Sequence, residues 1–510
     1  MGGEALWMWG AATCVKLLLV PSYRSTDFEV HRHWLALTSS LPVSRWYVDA
    51  SSPWTLDYPP LFALFELLLA LPASLLDPAI VRLRHGRDYS APSAVLFLRL
   101  SAAAADLLLL LAASRLSSSS SSSPRRGAPT LTLALVLWSP ALLLVDHIHF
   151  QYNGYLLGIL LLSLAFLEEG SDLAGGVAFA VLICSKHLFL VAAPVYFVYL
   201  LRHYCAGGFG KAVGRFFIMG SAVGAVFAAA FGPFVYYGQM RQVFSRLFPF
   251  GRGLCHAYWA PNFWVFYIVL DKLLAFLLAK LGFNIQTPKA SFTGGLVGDS
   301  TPFAVLPQVT PVTTFLLVLL AMSPCLVKAF LKPQPKNIIR WVTYACTCGF
   351  MFGWHVHEKA SLHITIPLGV IAMNSSDDAS HFFLVSIVSC YSMFPLLFEA
   401  QEYPIKVLLL LIYSILMWVG FSSDFSLGTV VDQTKEKGSS GGSTKNGLIG
   451  WTGKSYLFGL VAVELYGQLF HPYIFGSKLP FLPLMLVSFY CAIGMMYSWA
   501  WQLLQIVKFT

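Results

Sequence analysis

Residues 22–60, SYRSTDFEVHRHWLALTSSLPVSRWYVDASSPWTLDYPP, hold four of the chain's 24 acidic residues (Asp27, Glu29, Asp49 and Asp57), together with His31, His33 and three tryptophans. Apolar runs flank the stretch at 5–20 and 61–76. Ionisable groups at membrane depth are costly unless paired or facing water, so such a polar and aromatic patch belongs at a membrane surface or along a cavity. The remainder of the 510 residues sets that context: 57% are hydrophobic and 11% charged, with mean hydropathy +0.68, whereas a soluble domain carries about 25% charged residues. Apolar runs recur at lengths able to cross a hydrocarbon core about 30 Å thick, and the alternating segments of a β-barrel do not occur. The composition predicts an all-α polytopic membrane protein and excludes a water-soluble globule.

After a first anchor at 5–20, spans are expected at 93–111, 130–145, 154–167, 175–183, 188–201, 212–236, 313–330, 338–352, 362–371, 382–398, 405–421, 456–470 and 481–506. Two segments, 61–76 (bracketed by Pro59, Pro60, Pro72 and Pro78) and 263–281, are long enough to cross or to lie at one face. Loops rich in Lys and Arg favour the cytosol. Four such loops share one side only if neither ambiguous segment crosses: Arg115 with Arg125 and Arg126, Arg202 with Lys211 and Arg215, the basic residues of 328–340, and Lys435 with Lys437 and Lys445. This gives about fourteen spans with both termini cytosolic, at the cost of placing Arg82, Arg84 and Arg87 on the far side. The far-side loops then include 22–92, 146–153, the turn at Lys186 and His187, 237–312 and 355–359, where the unusual polar motifs gather.

The formal charge of +9 is spread over short loops rather than gathered on one face, which argues against nucleic acid as a partner. The nine cysteines lie mostly in apolar runs without a CxxC pair and read as small core residues. The first apolar run lacks a basic leader and a small-residue cleavage site, and is expected to stay as an anchor. Two low-complexity stretches, 117–123 and 434–447 (TKEKGSSGGSTKNG), read as flexible connectors. The chain is expected to comprise a catalytic module, 1–375, and C-terminal helices, 376–510, with a cytosolic linker at 424–452.

Asp27 follows the first anchor closely and opens a helical pattern in which Val30, Trp34 and Leu37 share a stripe. It reads both as a helix cap and as a carboxylate fixed for chemistry. Asp57 precedes two prolines that stiffen the chain, and is either solvated or substrate-facing. The stretch 146–153, DHIHFQYN, packs six hydrogen-bonding side chains into eight residues between apolar spans. Its alternate histidines diverge by about 200° on a helix, which argues against a shared metal. WHVHEK at 354–359 repeats this polar density without the HExxH spacing of a metalloprotease; it reads as a site or as a snorkelling helix end. Lys186 interrupts an apolar run and needs an anion nearby. VFSRLFPFGRGLCHAYWAPNFW at 243–264 joins Arg246 and Arg252 to a dense aromatic set, suited to phosphate and sugar or to an interfacial belt.

These motifs, with PKASFTGGLV and FGWHVHEKA, resemble the family of endoplasmic-reticulum glucosyltransferases that use dolichyl phosphate glucose, from about residue 27 to about residue 368. Two members act in succession, and CHAYWAPNFW, PKAS and HIHFQYNG are similar to the second. The resemblance implies a C-type glycosyltransferase fold with a lumenal active site in the endoplasmic-reticulum membrane. It also implies an inverting, metal-independent transfer of glucose from dolichyl phosphate glucose, in α-1,3 linkage, to the terminal glucose of Glc1Man9GlcNAc2-PP-dolichol. By the same resemblance Asp27 is the expected base. His357, with Lys186, Arg246 and Arg252, is assigned to phosphate. Asp57, Asp146, Gln151 and Glu358 are assigned to sugar hydroxyls or to orienting the histidines, with His147, His149 and His355 completing the substrate set, and Glu29 and Asp49 read as solvated loop residues. The competing readings are the preceding glucosyltransferase, acting on Man9GlcNAc2-PP-dolichol, a non-catalytic subunit and a polytopic lipid transporter using buried His and Asp as a proton relay. The absence of an evident internal repeat, and the gathering of polar residues at span ends, weigh against the transporter.

Overall fold

The computed structural model describes residues 3–84, 86–119, 128–255, 259–285, 303–433 and 448–509. Among them the secondary structure is helical, apart from one isolated bridge between Cys255 and Val356. Seven helices are long and apolar enough to cross a membrane: Pro92–Ser118, Ala128–Ile148, Phe209–Tyr236, Pro311–Leu331, Ser376–Leu396, Ala400–Phe425 and Leu482–Lys508. Shorter apolar helices accompany them at Pro60–Leu76, Asn153–Glu168, Asp172–Ile183 and His187–His203. Neither ambiguous segment is among the seven. Large apolar side chains, such as Phe209, Phe217 and Val235 on one helix, point outward, as they do where lipid rather than water is the solvent. The protein is a polytopic, all-helical membrane protein.

Contacts divide the chain into two units. The first comprises Met1–Pro124, Pro129–Pro249 and Lys328–Val342, the second Arg125–Ala128, Phe250–Val327 and Thr343–Thr510, so neither breaks at 375.

The first unit begins with α1 (Gly3–Leu18), α2 (Thr26–Ser40), α3 (Pro60–Leu76), α4 (Pro92–Ala105) and α5 (Leu107–Ser119). The Ser25 hydroxyl accepts the Asp27 N–H at 3.2 Å and starts α2, while Asp27 and Glu29 in its first turn favour the positive end of the helix dipole. The helix stops at Leu41, ahead of Pro42. It is buried along most of its length, and Glu29, expected as a solvated loop residue, is instead clamped by Arg32 through two 2.6 Å bonds. Prolines pre-set for a first helical turn open α3 and α4. α3 buries Phe62, Ala63, Glu66, Ala70 and Ala73 and exposes Leu64, Leu68, Leu71 and Leu75, the pattern of a helix with one protein face and one apolar outer face.

α5 packs most closely on Asn153–Glu168. Glycine permits it: a Cβ on Gly158 would lie 2.7 Å from the Leu109 nitrogen. Of the expected connectors, residues 117–119 finish α5 rather than joining a linker, and 120–127 lie outside the described residues. The helix Tyr403–Gln433 likewise runs through the expected start of the 424–452 linker, because its apolar pattern carries the turn past Asp424; residues 434–447 are outside the described residues.

In the second unit Ser376–Ser392, capped by Ser375, packs against Leu482–Phe509 and Tyr403–Gln433. Asp271 on Phe263–Lys280 accepts the N–H groups of Ala304, Val305 and Leu306 and so fixes the following loop. All nine cysteines are free thiols, seven of them buried.

Candidate active site

The helix from Ala128 breaks at Pro140 and then widens into a π-turn over Leu143–Ile148. His149 ends that turn, and Phe150 takes a left-handed backbone (φ 60) uncommon for a bulky residue. These two irregularities split DHIHFQYN into opposite faces. Asp146 and His147 turn into the protein, whereas His149 and Gln151 turn toward the start of α2.

On that second face, Oδ2 of Asp27 receives His149 Nδ1 at 3.0 Å and Gln151 Nε2 at 2.7 Å. The Asp27 side chain remains 20% exposed. The Ser25 hydroxyl also donates to the His149 carbonyl at 2.7 Å, so one residue caps α2 and ties it to the polar stretch. Gln151 Oε1 accepts from Asn153 Nδ2 at 2.9 Å, and Asn153 Oδ1 accepts from Lys186 Nζ at 2.9 Å. Asp27, Gln151, Asn153 and Lys186 therefore form one continuous line. Its polarity is fixed from both ends, because an ammonium only donates and a carboxylate only accepts.

Asp146 is fully buried and accepts Asn153 Nδ2 at 2.8 Å and the Gly154 N–H at 2.6 Å, capping the helix Asn153–Glu168 from a distance. His147 lies inside as well: its Nε2 meets Asp106 Oδ2 at 2.8 Å, where Lys16 of α1 also reaches it at 2.5 Å. Asp146, expected to meet sugar hydroxyls or to orient the histidines, and His147, expected in the substrate set, are thus placed in the frame behind the partly exposed carboxylate.

The WTLDYPP end of the opening loop joins the same region. The Leu61 N–H bonds the Cys184 carbonyl at 2.9 Å, and the Lys186 ammonium sits 5.3 Å from the Tyr58 ring centroid. Arg246 donates to Thr55 Oγ1 at 2.9 Å and to the Tyr47 carbonyl at 3.4 Å, two residues from half-buried Asp57. Burial and then the Asp57 charge push the Tyr47 and Tyr58 phenols well above their usual range, so both stay neutral donors.

The second unit brings two histidines and an arginine together. The His355 N–H bonds the Leu254 carbonyl, its Nδ1 meets the Gly253 carbonyl at 3.0 Å, and His357 stands edge-on at 5.5 Å. Arg252 is close enough that its charge, after burial, lowers the His355 pKa. Glu358 is buried at the start of a short 3-10 turn, Glu358–Ser361. WHVHEK and the FGRGLC stretch thus meet through His355; residues 256–258 of CHAYWAPNFW and all of PKAS lie outside the described residues.

Sequence reading passed over Arg99. Buried in α4, it donates to the His147 carbonyl, to the Ser22 carbonyl at 2.9 Å and to the Tyr23 carbonyl at 3.0 Å, and its guanidinium lies 4.3 Å from the Phe150 ring centroid. It pins the two strands of chain that carry Asp27 and His149. A single arginine inside the apolar run PSAVLFLRLSAAAA was the signal available.

The chain matches the model of the ALG6, ALG8 glycosyltransferase family over residues 12–502. It is 62% identical to the dolichyl pyrophosphate Glc1Man9GlcNAc2 alpha-1,3-glucosyltransferase of Arabidopsis thaliana, covering 98% of this chain and 97% of that one. It is 42% identical to the proteins of the same name from Gibberella zeae (96% and 95% covered) and Bos taurus (96% and 92%). A match this long, containing both the Asp27 line and the His355 group, shows that the chain belongs to the ALG6, ALG8 glycosyltransferase family.

Proposed function

We infer that this glucosyltransferase adds the second glucose to Glc1Man9GlcNAc2-PP-dolichol in α-1,3 linkage, the activity named for relatives it matches along nearly its whole length. We propose dolichyl phosphate glucose as the donor and the endoplasmic-reticulum membrane as the location. The proposed architecture is a C-type glycosyltransferase with about fourteen spans and a lumenal site. The observation that carries the mechanism is the partly exposed Asp27 carboxylate, oriented by His149 and Gln151.

In this mechanism Asp27 takes the proton of the acceptor glucose 3-hydroxyl as its oxygen forms the new bond to C1 of the donor glucose. The bond from C1 to the phosphate oxygen breaks on the opposite side, and dolichyl phosphate leaves with the electron pair, so the anomeric configuration inverts. Dolichyl phosphate, a phosphomonoester, is already a competent leaving group, which leaves the enzyme a base to supply and positive charge to provide. Lys186 is the proposed cation in the first unit; Arg252, His355 and His357 are the proposed anion-binding group of the second. Arg246 and Asp57 support the aromatic loop against which a sugar rests.

Asp27→Asn tests the assignment. It preserves shape, and removal of a general base lowers rate by at least about a hundredfold. Turnover near that of the unmodified enzyme, with both lipid substrates and purified protein, rules Asp27 out. Assay of Man9 against Glc1Man9 acceptors tests the choice of acceptor, and activity retained in EDTA tests independence from metal. Asn374, in the sequon Asn374-Ser375-Ser376, is exposed and falls on the cytosolic side of the proposed topology; a glycan there, removed by Asn374→Gln, would overturn that topology.

A further inference from the structure

A groove of about 830 Å³ opens beside the start of α2, wholly within the first unit. Its lining includes Tyr23, Arg24, Thr26, Trp54, Asp88 and Ser90, and it also touches Ser25 and Phe28, the near neighbours of Asp27. Arg24, Thr26, Asp88 and Ser90 are exposed, so the rim is polar and charged.

We propose that this groove is an acceptor subsite holding hexoses of the oligosaccharide other than the glucose that reacts. The proposal rests on the acceptor reading above and adds where the rest of the glycan lies. A pyranose presents an apolar face of C–H groups and a rim of hydroxyls. Tyr and Trp offer an apolar body with a polar tip, and a carboxylate and a guanidinium make charge-assisted bonds to hydroxyls. The groove combines these groups with the apolar side chains of Val20, Pro21, Phe28, Pro92 and Val95, which suit the C–H face of a sugar ring. The volume suits several rings, since cavities for drug-sized ligands run to roughly 300–1,000 Å³.

The lining is also held in place before any sugar arrives. Arg24 donates to the Ser90 carbonyl at 3.3 Å and lies 5.9 Å from the Phe28 ring centroid. The Trp54 carbonyl accepts the Trp34 indole N–H at 3.2 Å. Asp88 sits at φ 55, beside a turn in which Tyr89 and Ser93 donate to Asp77 at 2.6 and 2.7 Å. Ser25, Thr26 and Phe28 of the lining flank Asp27 in the chain.

The test uses the full-length purified protein with Trp54→Ala and Asp88→Asn, the latter because Asn tolerates a left-handed backbone. Each variant should raise the KM for Glc1Man9GlcNAc2-PP-dolichol about five- to tenfold, the scale of one lost charged or stacked contact, with kcat and donor KM unchanged. Binding of the free oligosaccharide Glc1Man9GlcNAc2, measured by calorimetry without turnover, should weaken by the same factor. An unchanged acceptor KM, or unchanged oligosaccharide binding, in both variants overturns the subsite. Binding that is intact in the unmodified protein without glucosyl transfer would instead count against the acceptor reaction.

Discussion

Asn153→Asp changes one NH2 group to oxygen and so reverses the polarity of the line from Lys186 to Asp27 without changing its shape. In the native site Asn153 Nδ2 faces Asp146 Oδ1 at 2.8 Å and Gln151 Oε1 at 2.9 Å. An oxygen there confronts two acceptors. Gln151 can relieve its half of the conflict by turning its amide, but Oε1 then points at Asp27 Oδ2, where Nε2 now donates at 2.7 Å. The base loses a hydrogen bond to a charged group, worth about 1.5–3 kcal/mol, or roughly 10- to 100-fold in rate if the orientation is needed at the transition state. Asn153→Ala removes the group but leaves Gln151 free to keep donating to Asp27. Its kcat should therefore exceed that of Asn153→Asp although it deletes more atoms. The assay is steady-state glucosyl transfer by purified protein. Equal kcat in the two variants, or an Asn153→Asp enzyme with native rate, would refute the reasoning.

Gly154→Ala places a Cβ 1.8 Å from Asp106 Oδ1, about 1.6 Å short of ordinary contact; Asp106 cannot yield without leaving Lys16 and His147, so a loss of about 3–5 kcal/mol, the scale of a broken buried pair, should appear as a lowered thermal unfolding midpoint. Arg99→Lys keeps the charge but cannot span three carbonyls, and should lower kcat by about tenfold or more with a smaller effect on acceptor KM; a native kcat would show that the fork is dispensable. His33 is buried with neither ring nitrogen hydrogen-bonded, and burial, then the Arg32 charge, holds its pKa down at about 4. The unfolded chain takes that proton near pH 6.5, so stability is intact above 6.5 and falls toward pH 4, by up to about 3 kcal/mol. His33→Leu should remove this share of the acid sensitivity, and an unaltered pH dependence of unfolding would exclude it.

Period and composition made the class and many of the helices legible, because apolar length is a strong signal. The site was legible in part. Asp27 announced a helix start, although the cap is Ser25 rather than Asp27 itself, and the polar density of 146–153 announced a cluster, since both depend on local chemistry. The division of that cluster was not legible: a π-turn and a left-handed Phe150 rotate His147 away from His149, and neither has a residue signature as plain as glycine or proline. Glu29 was misread for a related reason, since its partner Arg32 lies one turn on and only burial shows that the pair is internal. Arg99 and Asp106 each stood alone in apolar sequence, with partners 48 and 90 residues distant.

The meeting of Lys16 with Asp106 also bears on how the protein is made. Translation delivers α1 to the bilayer before Asp106 or His147 exists, and Lys16, in the last turn of that helix, has no buried counter-charge until they do. The first helix is therefore a provisional occupant of the membrane, its ammonium at the interface or shielded by the insertion machinery. Release of α4 and α5 supplies the counter-charge at 2.5 Å, and His147 then closes on the same carboxylate. The frame behind Asp27 is thus sealed only when three segments made at different times have come together.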